Sequence, residues 1–246
     1  MRKILGYILS PIYWLYFGLL LVIFHVIQVV CRKLGGYHLR KKAVDILNYL
    51  LLYGLIIVGA RIRFKGFRNL QKNGPLIIVS NHQSTFDIPP IVIGFRKHHP
   101  KFVSKKELGK GIPSISYNLR HGGSALIDRK NGRQSMVEIA KLGKHIEKEK
   151  YSASIFPEGT RSKTGKVKRF QHPGIAGLLK TAPSSTIVPL VIEGNNLLTK
   201  YGYFPLRFGT KLTYTALDPI NPKDKDIKEL TSEIELLIKN KIAQNS

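Results

Sequence analysis

The chain has 246 residues, with 40 Lys and Arg against 15 Asp and Glu, a formal net charge of +25 and one cysteine, Cys31. That length holds one large domain and an appendage; a lone cysteine excludes a disulfide framework and a cysteine-based zinc site within the chain, and its apolar setting, which would raise its pKa, argues against thiol catalysis. A surplus of positive charge this large calls for an anionic partner: nucleic acid, an acidic membrane surface, or a phosphorylated or acidic carrier substrate.

Residues 4–31 contain no Asp, Glu, Lys or Arg. As a helix the stretch would run about 42 Å, more than the ~30 Å hydrocarbon core of a bilayer. It is predicted to tilt, to kink near Pro11, or to dip into the membrane and return. Tyr13, Trp14, Tyr16 and Phe17 lie near its start, where aromatic rings suit the lipid–water boundary. The stretch is too long for a signal-peptide core. Arg2 and Lys3 precede it, and Arg32, Lys33, Arg40, Lys41 and Lys42 follow. Charge at both ends fits an in-plane or re-entrant pair of helices, with residues 48–60 as the second apolar stretch. The heavier charge after the segment assigns that side to the cytoplasm.

After residue 60 the texture changes to short apolar runs between turn signals. Residues 61–64, 76–80, 101–104, 124–127, 153–156, 186–192 and 211–217 read as strands. Helical patterns lie between several of them, as at 135–148, and a last helix covers 227–242 with Ile227, Leu230, Ile234, Leu237 and Ile238 on one face. Strands alternating with helices predict an α/β domain, a layered mixed β-sheet with flanking helices, preceded by the membrane-associated helical segment.

Directly after the second strand comes Asn81-His82-Gln83-Ser84-Thr85-Phe86-Asp87. On a continuous helix the side chains of His82 and Asp87 would diverge by about 140°, so they meet only if the backbone turns between them. A carboxylate on one imidazole nitrogen fixes the tautomer and leaves the other free to take a proton. Asp87 before Ile88-Pro89-Pro90 also has the form of a plain helix N-cap with proline in the first turn. His98-His99 and Arg120-His121 lack a carboxylate or cysteine pattern and read as surface-loop histidines, so no metal site is expected.

The fifth strand runs into Phe156-Pro157-Glu158-Gly159-Thr160-Arg161-Ser162. Gly159 permits a tight turn, and Arg161 offers a planar fork of donors suited to phosphate. Lys163, Lys166, Lys168 and Arg169 thicken the positive field. Together, in this order and spacing, the two segments resemble the glycerolipid acyltransferases, specifically the 1-acylglycerol-3-phosphate acyltransferases. Between them Phe102-Val103-Ser104-Lys105-Lys106-Glu107-Leu108 is similar to that family's lysine-bearing segment, and Gly123-Ser124-Ala125-Leu126-Ile127-Asp128-Arg129 to its second motif. Ile187-Val188-Pro189-Leu190-Val191 is similar to its fourth, and the resemblance spans residues 61–193. Ser104, Leu126 and the stretch Phe170-Gln171-His172-Pro173-Gly174 depart from common family choices, which bears on chain-length and acceptor preference.

The resemblance implies membrane-associated helices at 1–60 and an α/β acyltransferase catalytic domain at 61–246. It implies transfer of a fatty acyl group from an acyl thioester, on acyl carrier protein or coenzyme A, to the sn-2 hydroxyl of 1-acylglycerol 3-phosphate. The product would be phosphatidic acid, made at the cytoplasmic face of a bacterial inner membrane. Carried over residue by residue, His82 becomes the general base and Asp87 its orienting carboxylate. Arg161 becomes the chief partner of the acceptor phosphate, with Lys106 and Arg129 next, and Glu158, Gly159 and Thr160 form the loop that holds the acceptor. No cofactor is expected. The expected partners are a lysophospholipid acceptor, the carrier-protein or coenzyme A thioester and an anionic membrane surface, with no nucleic acid, since no stacking-aromatic module is visible. Two rivals remain: another acceptor such as glycerol 3-phosphate or a different lyso-lipid, and a non-catalytic basic membrane-binding module. The second accounts for the charge but not for the ordered motifs, and a serine hydrolase would need a Gly-x-Ser-x-Gly elbow that is missing.

Overall fold

The computed structural model describes residues 1–70 and 74–245. The chain opens with α1 (Arg2–Tyr53), broken at Gly35 and Gly36. Gly36 has φ 61° and ψ −145°, which glycine adopts without the clash a side chain would bring. The arms on either side, residues 2–34 and 37–53, fold back on each other. Tyr16 Oη donates to the Leu50 carbonyl at 3.0 Å, and a Cβ on Gly54 would lie only 2.3 Å from Tyr16 Cε1. The break is thus not at Pro11, where the helix continues. Beside that proline, Ser10 is fully buried and accepts from the Leu206 N–H at 2.8 Å, so docking on the domain holds the first arm through the proline.

All seven predicted strands form: β1 (Arg61–Lys65), β2 (Leu76–Ser80), β3 (Pro100–Lys105), β4 (Ala125–Ile127), β5 (Ser152–Ile155), β6 (Thr186–Glu193) and β7 (Lys211–Ala216). They make one sheet in the order β1-β7-β6-β2-β5-β3-β4. Strands β2 to β6 run parallel, whereas β7 is antiparallel to β6 and parallel to β1, which makes the sheet mixed. The helices that follow α1 are α2 (Ile88–Gly94), α3 (Ile115–His121), α4 (Gly132–Glu149), α5 (His172–Thr181), α6 (Asn195–Leu198) and α7 (Ile227–Asn245).

Strand periodicity sorts the helices into layers. On β2, Leu76 and Ile78 face one way and pack with α2 and with Tyr13, Leu52 and Leu55 from the N-terminal segment. Ile77 and Val79 face the other way, into a core shared with α4, α5 and α7. Both faces of the parallel strands are covered, which is why β2 is apolar at successive positions rather than alternating. At the start of β3, His98 is buried and His99 stacks on Tyr151 with ring centroids 4.5 Å apart. These two histidines are therefore not surface-loop residues. Tyr37, just past the Gly36 break, stacks on Tyr151, and its hydroxyl meets His99 Nδ1 at 2.8 Å, which draws the loop into the fold.

The parallel arrangement positions the two long motifs. Val79 of β2 pairs with Ile155 of β5, so the chain leaves both strands at the same sheet edge, side by side. Ser80 pairs with Leu190 of β6, which delivers the residues after Glu193 to that edge as well. The carboxyl ends of parallel strands are where open α/β sheets present their ligand sites.

Candidate active site

At the end of β2 the backbone turns sharply. Ser84 is extended (φ −157°), and residues Thr85–Asp87 form a 3-10 turn. Ser84 Oγ accepts from the Phe86 N–H at 3.1 Å, while the Asp87 carboxylate reaches back to the Ser84 N–H at 3.1 Å. This reciprocal cap swings Asp87 under His82. Asp87 Oδ2 lies 2.7 Å from His82 Nδ1 and also accepts from the Gln83 N–H at 2.7 Å. Asp87 makes no side-chain cap bond to α2, so the plain N-cap reading fails: its oxygens are committed to the turn behind it.

Asp87 is fully buried, and a buried carboxylate is tolerated only when its lone pairs are satisfied. Its second oxygen, Oδ1, accepts from Asn195 Nδ2 at 2.7 Å, and Asn195 Oδ1 accepts from the Tyr214 hydroxyl at 3.0 Å. A buried chain thus runs from β7 through α6 to the imidazole. Asn81 locks the motif to β6 by a reciprocal pair with the Ile192 backbone, both bonds 2.8 Å long. The His82 ring lies flat on Phe156, centroids 4.1 Å apart at 18°. Among the described residues Nε2 has no hydrogen-bond partner. The ring is therefore oriented by a carboxylate, braced on one face and free at the nitrogen that could take a proton.

The loop at 156–162 is stitched to the turn at 81–87. The Ser162 N–H donates to the His82 carbonyl at 2.7 Å, and the His82 N–H donates to Glu158 Oε1 at 2.8 Å. Glu158 Oε2 accepts from the Lys168 N–H at 3.2 Å, so both oxygens of this buried carboxylate are engaged with backbone. Burial raises the Glu158 pKa above the usual carboxylate value, against the lowering effect of the two N–H donors. Gly159 supplies the tight turn at φ 68°, its N–H bonded to the Phe156 carbonyl at 3.0 Å. Lys168 Nζ holds Thr160 Oγ1 at 2.8 Å and the Arg161 carbonyl at 2.9 Å, which leaves the Arg161 side chain exposed.

Arg161 Nη1 donates to the Tyr203 hydroxyl at 2.9 Å, and Thr85 Oγ1 donates to the same oxygen at 3.3 Å. Tyr203 is anchored in turn, since its carbonyl accepts from Trp14 Nε1 at 2.9 Å. Arg129 stands near enough to Arg161 to be affected by it: desolvation first and that guanidinium second lower the Arg129 pKa. Lys106 does not join this group as a free cation; it is exposed and paired with Asp128. Arg161, Thr85 and Tyr203 mark the exposed part of a cavity of about 400 Å³. The cavity runs between the two arms of α1, α2 and α3, and its walls are mostly apolar, among them Phe17, Leu51, Phe86, Val92 and Leu119.

The structure thus brings His82, Asp87, Glu158, Gly159, Thr160 and Arg161 to one sheet edge, with Arg129 close by. It adds Asn195, Tyr214, Phe156 and Tyr203, which were not singled out in the sequence. Only Phe156 had a signal there, as the residue opening the segment 156–162.

The family model described as Acyltransferase matches residues 61–193, more than half of the chain and all of the motif-bearing strands. The chain belongs to the acyltransferase family. It is 27% identical over 181 residues to the 1-acyl-sn-glycerol-3-phosphate acyltransferase of Saccharomyces cerevisiae, covering 73% of this chain and 58% of that protein. It is 28% identical over 178 residues to the human 1-acyl-sn-glycerol-3-phosphate acyltransferase beta, covering 72% and 62% respectively. The chain thus spans about three fifths of the length of these relatives. The crystal structure of the 1-acyl-sn-glycerophosphate (LPA) acyltransferase PlsC from Thermotoga maritima superposes with a TM-score of 0.78 at 25% identity. The superposition covers 99% of this chain and 97% of that one, so this acyltransferase shares its whole architecture, α1 included.

Proposed function

We propose that the protein is a 1-acylglycerol-3-phosphate O-acyltransferase that moves a fatty acyl group from an acyl thioester to the sn-2 hydroxyl of a lysophosphatidic acid. The observation that carries this reading is His82, held through Nδ1 by buried Asp87, with its carbonyl bonded to the N–H of Ser162, the residue that follows Arg161 at the rim of an apolar cavity. An alcohol is a weak nucleophile at neutral pH. The imidazole takes its proton as the oxygen attacks the thioester carbon, a contribution of about 10² to 10⁴ in rate. Asp87 holds the tautomer and stabilises the imidazolium that forms. Collapse of the tetrahedral intermediate breaks the carbon–sulfur bond, and the imidazolium returns its proton to the departing thiolate. Arg161, with Arg129 behind it, binds the acceptor phosphate, and the cavity takes an acyl chain. Its volume falls in the range of roughly 300–1,000 Å³ usual for ligand pockets.

The donor in this reading is acyl carrier protein or coenzyme A, both acidic and both drawn to a surface with a net charge of +25. The work is done at a membrane. Helix α1 is long and apolar enough to cross one, and its first arm turns an exposed stripe of Ile4, Ile8, Ile12, Leu15 and Leu19 away from the core. Lying in the interface with the motif edge toward the cytoplasm places the cavity rim within reach of a lyso-lipid. Turnover of purified protein on lysophosphatidic acid, glycerol 3-phosphate and unphosphorylated lyso-lipids tests the acceptor. A preference for an unphosphorylated acceptor would overturn the substrate assignment. In the same assay His82→Ala is expected to lose about 10² to 10⁴ in kcat while remaining folded. Unchanged turnover would remove the mechanism.

A further inference from the structure

Deep in the apolar cavity one side chain has no account in the fold. Gln28, on the first arm of α1, is fully buried and lines the cavity, and among the described residues neither its Nε2 nor its Oε1 has a hydrogen-bond partner. A buried amide without partners is rare enough in folded proteins to need a reason. The other amides in the lining each have a partner: Asn48 Nδ2 donates to the Val44 carbonyl at 2.8 Å, and Asn118 Oδ1 accepts from Arg40 at 2.7 Å.

Its position explains what it could meet. Trp14, at the rim beside Tyr203, precedes Gln28 by fourteen positions, about 21 Å along a helix. The second arm runs alongside in the opposite sense, with Leu51 and Leu47 lining the middle and Val44 the far part. Asn118 is the point where the buried Arg40 reaches the lining. The cavity therefore starts at the cationic rim, is apolar over most of its length, and ends against an amide with a donor and an acceptor both unused.

We propose that Gln28 is a specificity-determining residue: it reads the polarity of whatever reaches the closed end, so the limit on acyl-chain length is set chemically and not by depth alone. This rests on the reading of the cavity as an acyl-chain site. A chain that stops short leaves room for water on the amide, and its hydrogen bonds are kept. A longer apolar chain displaces that water and strands both amide groups in hydrocarbon. A longer chain with a hydroxyl at its end replaces the water, since a hydroxyl both donates and accepts.

The test exchanges polarity at constant size. Acyl transfer by the wild type and by Gln28→Met is measured with saturated chains of twelve to eighteen carbons, varied first in the donor and then in the acceptor. The longest chains are also supplied with a terminal hydroxyl. In one of the two series Gln28→Met is expected to raise kcat/KM for the longest apolar chains by about ten- to hundredfold relative to the shortest. The terminal hydroxyl is expected to help the wild type by a similar factor and to lose that benefit in the variant. A flat response in both series, or an equal change at every length, overturns the proposal. Removing an unpartnered amide should not harm folding, which melting temperature checks. Displacement of a cavity-bound fluorescent fatty acid by the same chains reads Gln28 without turnover. Wild-type protein inert toward every lyso-lipid would thus defeat the functional assignment, whereas an unchanged displacement series would defeat the role of Gln28.

Discussion

His82 faces its task because Asp87 cannot turn away: four donors converge on that carboxylate, and three of them come from outside the imidazole. Asn195 is the partner that sequence reading could not supply. It follows a glycine, resembles any turn asparagine, and meets a residue 108 positions earlier. Asn195→Ala leaves an Asp87 oxygen and the Tyr214 hydroxyl buried and unpaired, so urea unfolding should show a loss of about 1–3 kcal/mol or more. The pH profile of kcat should shift as well, because the carboxylate that sets the imidazole has lost a ligand; a variant with wild-type stability and profile would show the chain from Tyr214 to be idle. Tyr203 was equally hidden, lying in a loop beyond the matched motifs. Its hydroxyl accepts from Arg161, so in the proposed reading it is a positioning residue for the group that meets the acceptor phosphate. Tyr203→Phe frees the guanidinium, and the KM for the acceptor should rise about three- to tenfold while the donor KM stays put. Equal changes in both would point to a general disturbance of the loop.

At the scale of elements, the strands were legible because a buried parallel strand is a short apolar run closed by turn residues, and β2 and β6 are such runs. Where α1 breaks was not legible. Proline is the stronger helix breaker in isolation, yet Pro11 lies in an arm held by the domain, and the Gly35-Gly36 pair lies where the chain must reverse. The second arm is joined to the start of β3 by a buried polar cluster. Lys101, 4% exposed, donates to the Tyr37 hydroxyl at 2.6 Å and faces Arg40, Lys41, Asp45, His99 and Tyr151. Desolvation above all, then Arg40 and Lys41, lower its pKa to about 7, against the opposing pull of Asp45. Between about pH 7 and the unfolded value near 10.5 the unfolded chain holds a proton that the folded one lacks, so this residue makes stability rise with pH in that window. Below pH 7 the cost of burying the charge is fully present. Denaturant unfolding of Lys101→Met should therefore lack an increase, on the order of a few kcal/mol, that the wild type shows between pH 7 and 10. Parallel curves for the two proteins would mean that Lys101 stays charged throughout.

For the whole molecule, charge and hydropathy point the same way. A protein with a net charge of +25 carries on its first helix a stripe that buries Tyr13, Leu20, Leu21 and Phe24 on one side and exposes Leu15, Leu19, Val22 and Val26 on the other. Such a face suits insertion into the boundary between headgroups and acyl chains. The double substitution Leu15→Asp and Leu19→Asp should weaken co-sedimentation with phospholipid vesicles at least about tenfold, because two leucines no longer enter the lipid. Activity on lyso-lipid dispersed in detergent should persist. Vesicle binding at wild-type strength would show that the stripe does not meet the membrane.

By itself the sequence determined the class of the fold, the two motif turns, the cationic character and the apolar segment. Each of these is written in local periodicity or in residue type within a few positions, and the chemistry of a His–Asp pair is legible once a turn is required between them. The tertiary structure alone decided the strand order that sets the two motifs side by side, the partners of Asp87 and Arg161, and the cavity between the arms of α1 and the domain. Those depend on contacts between residues many tens of positions apart, which local patterns do not encode. A cavity in particular is a property of what several elements leave unfilled, so no one of them carries its signal.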